Sequence, residues 1–150
     1  MEKRLKVTAI KDGTVIDHIP PLSLFKVISI LELDKCSHMV TFANNLESNA
    51  IGSKAIIKVA NRFFKDEEVN KISLVAPHAK LNTIRDYEVV EKRIVEIPKE
   101  IKAIVKCFNP KCITNSEKIT TRYRVVSEDP IALECKYCEK ITHKDEIEII

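Results

Sequence analysis

Two pairs of cysteines near the C-terminus constrain this chain more than any other feature: CFNPKC, with Cys107 and Cys112, and CKYC, with Cys135 and Cys138. Each pair closes a tight loop that can offer two thiolates to one cation. Two such loops complete a tetrahedral four-sulfur shell of the kind that holds structural zinc, so one Zn(2+) per chain is expected. Four thiolates leave no open position for water, which points away from a catalytic metal. A disulfide oxidoreductase reading rests on CKYC alone and leaves the other pair without a role. The segment also needs a clamp. Beyond Pro98 and Glu100 there is no long helical pattern, only short extended runs at 119–126 and 146–150. About fifty residues of this kind bury little apolar surface.

Charge separates two partner classes. Residues 101–150 carry nine Lys or Arg against eight Asp or Glu. Four thiolates around one dication bring that segment close to −1. A nucleic-acid binder needs a concentrated basic surface, and Tyr123 between Arg122 and Arg124 is a single aromatic that could stack on a base. A protein-contacting module is therefore preferred, with a zinc-ribbon nucleic-acid-binding protein as the alternative. Whole-chain charge is only +3, too small to imply a polyanion partner. No secretory apolar region follows the charged start, and the most apolar window, 22–33, is broken by Lys26 and Glu32. A soluble, cytoplasmic chain without a membrane partner is expected, in a reducing compartment where cysteines serve metals more often than disulfides. Cys36 is read as a small packed residue, and His38, His78 and His143 as structural.

The first 97 residues have a different texture. Residues 5–10, 14–16, 39–43, 72–76, 80–85 and 87–97 look extended. In 22–33 the polar residues Ser23, Lys26, Ser29 and Glu32 recur every third position, which predicts a mostly buried helix. Residues 54–65 are read as a second helix, with Lys54, Lys58, Asn61, Arg62 and Lys65 on one face. Two helices against one face of a mainly antiparallel sheet give an α+β domain, with the split βαβ (ferredoxin-like) arrangement as the natural candidate. The expected organisation is 1–97 as this sandwich and 98–150 as a small all-β, zinc-ribbon-like domain. The open sheet face leaves room for a second copy of the chain.

GTVIDHIPP raises a separate question, because Asp17 and His18 stand together where an apolar strand ends. Turn and capping chemistry is the ordinary explanation. The sharper one is a polar ligand. With Lys58, and with Asn82, Tyr87, Val89 and Lys92 in KLNTIRDYEVVEK, the chain holds the ingredients of a nucleotide site. Carboxylates accept from ribose hydroxyls, and lysines pair with phosphates. No Gly-rich phosphate loop is present, so neither a Walker site nor a dinucleotide fold is supported. No nucleophile–base motif argues for an enzyme.

GTVIDHIP, DYEVVEK, CFNPKC and CKYCEK, in this order over essentially the whole chain, resemble the regulatory chain of aspartate carbamoyltransferase. The resemblance implies a non-catalytic subunit of pyrimidine biosynthesis. It would bind nucleoside triphosphates (CTP, ATP, UTP type) in its N-terminal domain, form a regulatory dimer, and dock its zinc domain on the catalytic chain. Asp17 matches the ribose-contacting acid and His18 the histidine near the phosphates. Lys58 matches the lysine reaching ribose and base, and Lys92 the phosphate-binding lysine. Lys54 matches a basic residue near the phosphates. Ile10, Val15, Asn82, Ile84, Tyr87 and Val89 match pocket residues, Ile10 and Tyr87 through backbone groups. Asn109, Lys111, Glu139 and Lys140 match positions that touch the catalytic chain. Lys111 stands where the best-known bacterial members carry a second Asn, and Phe108 and Pro110 also depart from the pattern.

Overall fold

The computed structural model describes residues 9–150 and divides into two compact units that meet between Glu96 and Ile97. In the first unit the chain runs β1 (Gly13–Ile19), α1 (Leu24–Ile30), β2 (Val40–Ser48), β3 (Gly52–Ala60), α2 (Asp66–Val75), β4 (Lys80–Arg85) and β5 (Glu88–Ile94). The strands form one antiparallel sheet in the order β2-β3-β1-β4-β5. Ile16, Ala55, Ile57, Val59 and Leu81 point to one side, where they pack with Leu24, Val27 and Leu31 around α1 and Val69, Ile72 and Ala76 around α2. Cys36 is half-buried against this core. Among the described residues the opposite sheet face carries no helix.

Several sequence expectations change here. Residues 54–65 are not a helix, because Gly52–Ala60 is strand β3. Ala55, Ile57 and Val59 are buried in the core while Ile56 and Ala60 pack on the helix-free side. Apolar residues on both faces erase the alternation that marks a strand. Only Lys54 and Lys58 of the five predicted co-facial residues share a strand face. Conversely, 72–76 is not a strand. It lies mostly in α2, whose first turn carries Asp66, Glu67 and Glu68 near the positive end of the helix, with the Glu68 carboxylate accepting from the Lys65 N–H at 3.2 Å. The first helix is shorter than 22–33. It is flanked by 3-10 turns at Pro21–Ser23 and Leu33–Lys35, and Glu32 takes a left-handed φ of 52° between them. Its surface is also less buried than the periodicity implies, since Leu22 and Phe25 are 94% and 64% exposed. Of the extended run at 5–10, residues 5–8 lie outside the described residues, and Ile10 sits in an irregular segment.

Gly13 is required at the start of β1. Its φ is +141°, and an added Cβ would lie 2.1 Å from the Val59 carbonyl oxygen. The β4–β5 hairpin turns through Asp86 and Tyr87, both at positive φ, as a two-residue hairpin turn demands.

The second unit is built from β6 (Glu100–Lys102), β7 (Val105–Lys106), a four-residue helix α3 (Ile113–Ser116), β8 (Arg122–Glu128), β9 (Ile131–Cys135), β10 (Ile141–His143) and β11 (Glu148–Ile149). They make a sheet in the order β10-β9-β8-β6 and a small β11-β7 pair. The α+β class stands, with helices and antiparallel sheet in the first unit and mainly antiparallel strands in the second. Among the described residues no helix is long and apolar enough to cross a membrane.

Candidate functional site

In the second unit, β7 delivers Cys107, and Cys112 directly precedes α3. Cys135 ends β9, and Cys138 follows in the loop before β10. The four Sγ atoms lie within 4.8 Å of one another. Cys107 and Cys138 are 3.7 Å apart and Cys112 and Cys135 3.8 Å. A disulfide would need about 2.05 Å. The observed separations are instead those of tetrahedron edges whose corners lie about 2.3 Å from the centre, a zinc–sulfur distance. The donor set therefore fits a metal ion.

Backbone and amide groups hold both loops in shape. Asn109 Oδ1 accepts from the Lys111 N–H at 3.1 Å, and the Asn109 carbonyl accepts from the Cys112 N–H at 3.0 Å. Asn115 Nδ2 donates to the carbonyls of Cys107 and Asn109, both at 2.8 Å. In the second loop the Glu139 N–H donates to the Cys135 carbonyl at 2.9 Å, with Glu139 at a left-handed φ of 63°. Thr114 Oγ1 donates to Cys112 Sγ at 3.2 Å.

Without a cation the sulfurs disagree about protons. Burial pushes the Cys107 thiol up to about 12 and the Cys135 thiol upward as well. Burial acts against ionisation of Cys138 too, but the Lys140 backbone and the Asn109 side chain outweigh it and bring that thiol down to about 7. Buried thiolates need a compensating charge, and a coordinated dication supplies it while deprotonating the ligands.

The positions matched to a partner contact divide. Lys111, Glu139 and Lys140 are exposed, whereas Asn109 is buried and spends its side chain within the knuckle. Tyr123 is fully buried, with the Cys107 sulfur beside its phenol. It presents no ring for a base to stack on. His38, His78 and His143 join no cluster of ligating groups among the described residues.

In the first unit the residues matched to an effector site fall on the helix-free sheet face. Lys92, Asn82, Val15, Lys58 and Thr41 stand opposite one another across all five strands. One row to one side, Val89, Ile84, Gly13 and Ala60 face one another. Ile10, Val15 and Ile84 are buried there with Ile56 and Ala60 against them, forming a small apolar floor. One row to the other side, Asp17, Lys80 and Ile94 are aligned. The face thus runs from apolar to charged over the four residue steps from Gly13 to Asp17, about 13 Å at ~3.3 Å per residue.

At the charged end, Lys54 Nζ lies 3.0 and 3.2 Å from the two Asp17 oxygens. The His18 N–H donates to Asp17 Oδ1 at 2.6 Å, and His18 Nδ1 lies 3.5 Å from the same oxygen. The pairing of β1 with β3 shifts register between Ile16 and Ile19, and His18 takes a φ of 57°. This bulge interrupts the β1–β3 ladder at Asp17 and His18, while Asp17 stays paired with Lys80 of β4. Burial lowers the Lys58 pKa, with the Asp17 charge opposing. Lys58 therefore lies on β3, not on a helix. Tyr87 is 66% exposed at the hairpin turn, and its N–H donates to the Lys11 carbonyl at 2.8 Å, tying the segment after Ile10 to the turn.

Comparison with known proteins follows this division. Residues 5–96 match the family described as aspartate carbamoyltransferase regulatory chain, allosteric domain, and residues 99–148 match its metal binding domain. The chain belongs to the aspartate carbamoyltransferase regulatory chain family. The regulatory chain of Bacteroides fragilis is 54% identical over 149 residues, covering 99% of this chain and 97% of the relative. That of Porphyromonas gingivalis is 50% identical, covering 99% of both chains, and that of Pyrococcus abyssi 52% identical, covering 95% of both. As a member of this family it is a regulatory, non-catalytic chain of pyrimidine biosynthesis.

Proposed function

We propose that the helix-free face of the first unit is the effector site of this regulatory chain and takes nucleoside triphosphates of the CTP, ATP and UTP type. The observation that carries this reading is the apolar-to-charged gradient across one sheet face. A base fits the floor of Ile10, Val15, Ile84 and Val89, with backbone groups of Ile10 and Tyr87 at its edge. Asp17, Lys58 and Asn82 suit the ribose region. His18, Lys54 and Lys92 offer positive charge to phosphates. Residues 1–97 are the nucleotide-binding domain, ferredoxin-like in strand order, and residues 98–150 are a zinc-ribbon-like domain.

The cation of the four-cysteine site is Zn(2+), one per chain, held by Cys107, Cys112, Cys135 and Cys138. It supplies folding energy and no reaction chemistry. The metal domain docks on the aspartate carbamoyltransferase catalytic chain, with Lys111, Glu139 and Lys140 exposed for contact. Asn109 acts there by shaping the knuckle. A second copy of the chain covers the apolar surface beside edge strand β2, where Phe25 and Phe42 meet edge to face and are both exposed. Regulation then requires the effector to bind one state of the complex better than the other, and a coupling of about 1–3 kcal/mol suffices.

Titration calorimetry of the purified chain with CTP tests the site. Lys58→Ala and Lys92→Ala are each expected to weaken binding about tenfold, the equivalent of one lost charge-assisted contact. Wild-type affinity in both variants would move the nucleotide to another surface.

A further inference from the structure

Lys80 opens the run KLNTIRDYEVVEK but lies outside the motifs that carry the family resemblance, and the sheet places it directly across from Asp17 and two residues before Asn82 on the same face. It lines a cavity of 340 Å³ with Asn82, Lys92, Arg93 and Ile94. Asp17 is already bracketed by Lys54 and the His18 N–H. Arg93 is engaged by Asp66 at 3.0 Å. Among the described residues no carboxylate lies within ion-pair distance of Lys80 or Lys92, so both ammonium groups at this cavity lack a protein counter-charge.

The strand positions of this face carry four lysines, Lys54, Lys58, Lys80 and Lys92, against one carboxylate, Asp17. A nucleoside monophosphate, with about two negative charges, leaves that excess partly unmatched. A di- or triphosphate, with about three or four negative charges, covers it. The apolar floor fixes which end of a nucleotide lies where, and the cavity of Lys80 and Lys92 lies on the side away from the floor.

We infer that Lys80 and Lys92 together form the subsite for the terminal phosphates of the effector, and that Lys80 makes this chain select triphosphates over monophosphates. The inference rests on the effector-site reading above. Lys80 is a specificity residue here, with no part in holding the base or the ribose. Its side chain is exposed on β4, so its replacement leaves the fold and the metal site intact.

The experiment measures CTP, CDP and CMP binding to the full chain by calorimetry, for wild type, Lys80→Ala and Lys80→Arg. Lys80→Ala is expected to weaken CTP about tenfold, CDP less, and CMP by no more than about twofold. Lys80→Arg is expected to keep most of the preference, because the charge remains. A Lys80→Ala chain that keeps the wild-type CTP-to-CMP ratio overturns the inference while the effector site stands. An equal loss for all three ligands overturns it too, by showing a general field effect rather than a phosphate subsite. A wild-type chain that binds none of the three removes the effector-site reading and this inference with it.

Discussion

The two units of this chain solve the same problem by different means. The first buries a continuous apolar layer between its sheet and two helices, with Ile16, Leu24, Val27, Ile57 and Ile72 wholly inaccessible. The second has short strands, a four-residue helix, and three buried cysteines among its inaccessible side chains. Apolar packing and the sheet ladders hold the first without a metal site among the described residues. In the second, sulfur atoms occupy the place that a larger core would fill, and burying those sulfurs as thiolates becomes favourable only when a cation shares their charge. The lesson is about division of labour. A sheet that closes its core on one face leaves the other free to hold a ligand, while a metal-knit unit can present much of its surface to a partner.

The comparison breaks most sharply at the sulfurs. Cys135→Ser should abolish stoichiometric zinc, read by atomic emission, and prevent the chain from copurifying with the catalytic chain. Metal binding worth about 10–16 kcal/mol in small structural sites leaves no margin for losing a ligand. The first unit should still bind CTP. Acid should act the same way as the substitution, because protons displace the metal as pH falls and the buried thiols favour their protonated form.

A smaller effect should run the other way. Gly13→Ala places a Cβ against the Val59 carbonyl at a positive φ, and is expected to cost about 3 kcal/mol of stability in the first unit. Chemical denaturation should show this, with zinc content unchanged.

The smallest effect concerns Lys58. Burial lowers its pKa in the free chain, with Asp17 opposing, and a bound polyanion should raise it again. Between the lowered and the raised value, binding takes up a proton. CTP binding at alkaline pH should therefore show proton uptake that grows as pH rises toward the free-chain value. Calorimetry in buffers of different ionisation enthalpy checks the sign, and Lys58→Met should remove it.

What the sequence reveals follows the range of the interactions. The metal site is legible because each knuckle is local: Cys107 to Cys112 and Cys135 to Cys138 declare their chemistry within a few residues. Strand β3 is not legible, because Ile56, Ile57, Val59 and Ala60 are apolar on both faces and imitate a buried helix. Helix α2 is obscured for the opposite reason. Its apolar run Ile72–Ala76 reads as extended unless the acids at 66–68 are taken as its start. The proposed effector face depends on register. Nothing local says that Val15 faces both Lys58 and Asn82, or that Lys80 faces Asp17. The family resemblance supplies the former set, and Lys80, to which it assigns no role, needs the sheet.

Amide hydrogen exchange on the full chain, before and after zinc is stripped by a mercurial and chelator, tests the central claim most directly. The account predicts that protection collapses across residues 97–150 and persists across β1, β3 and α2 of the first unit. Retained protection in residues 97–150 after the metal has gone would contradict it.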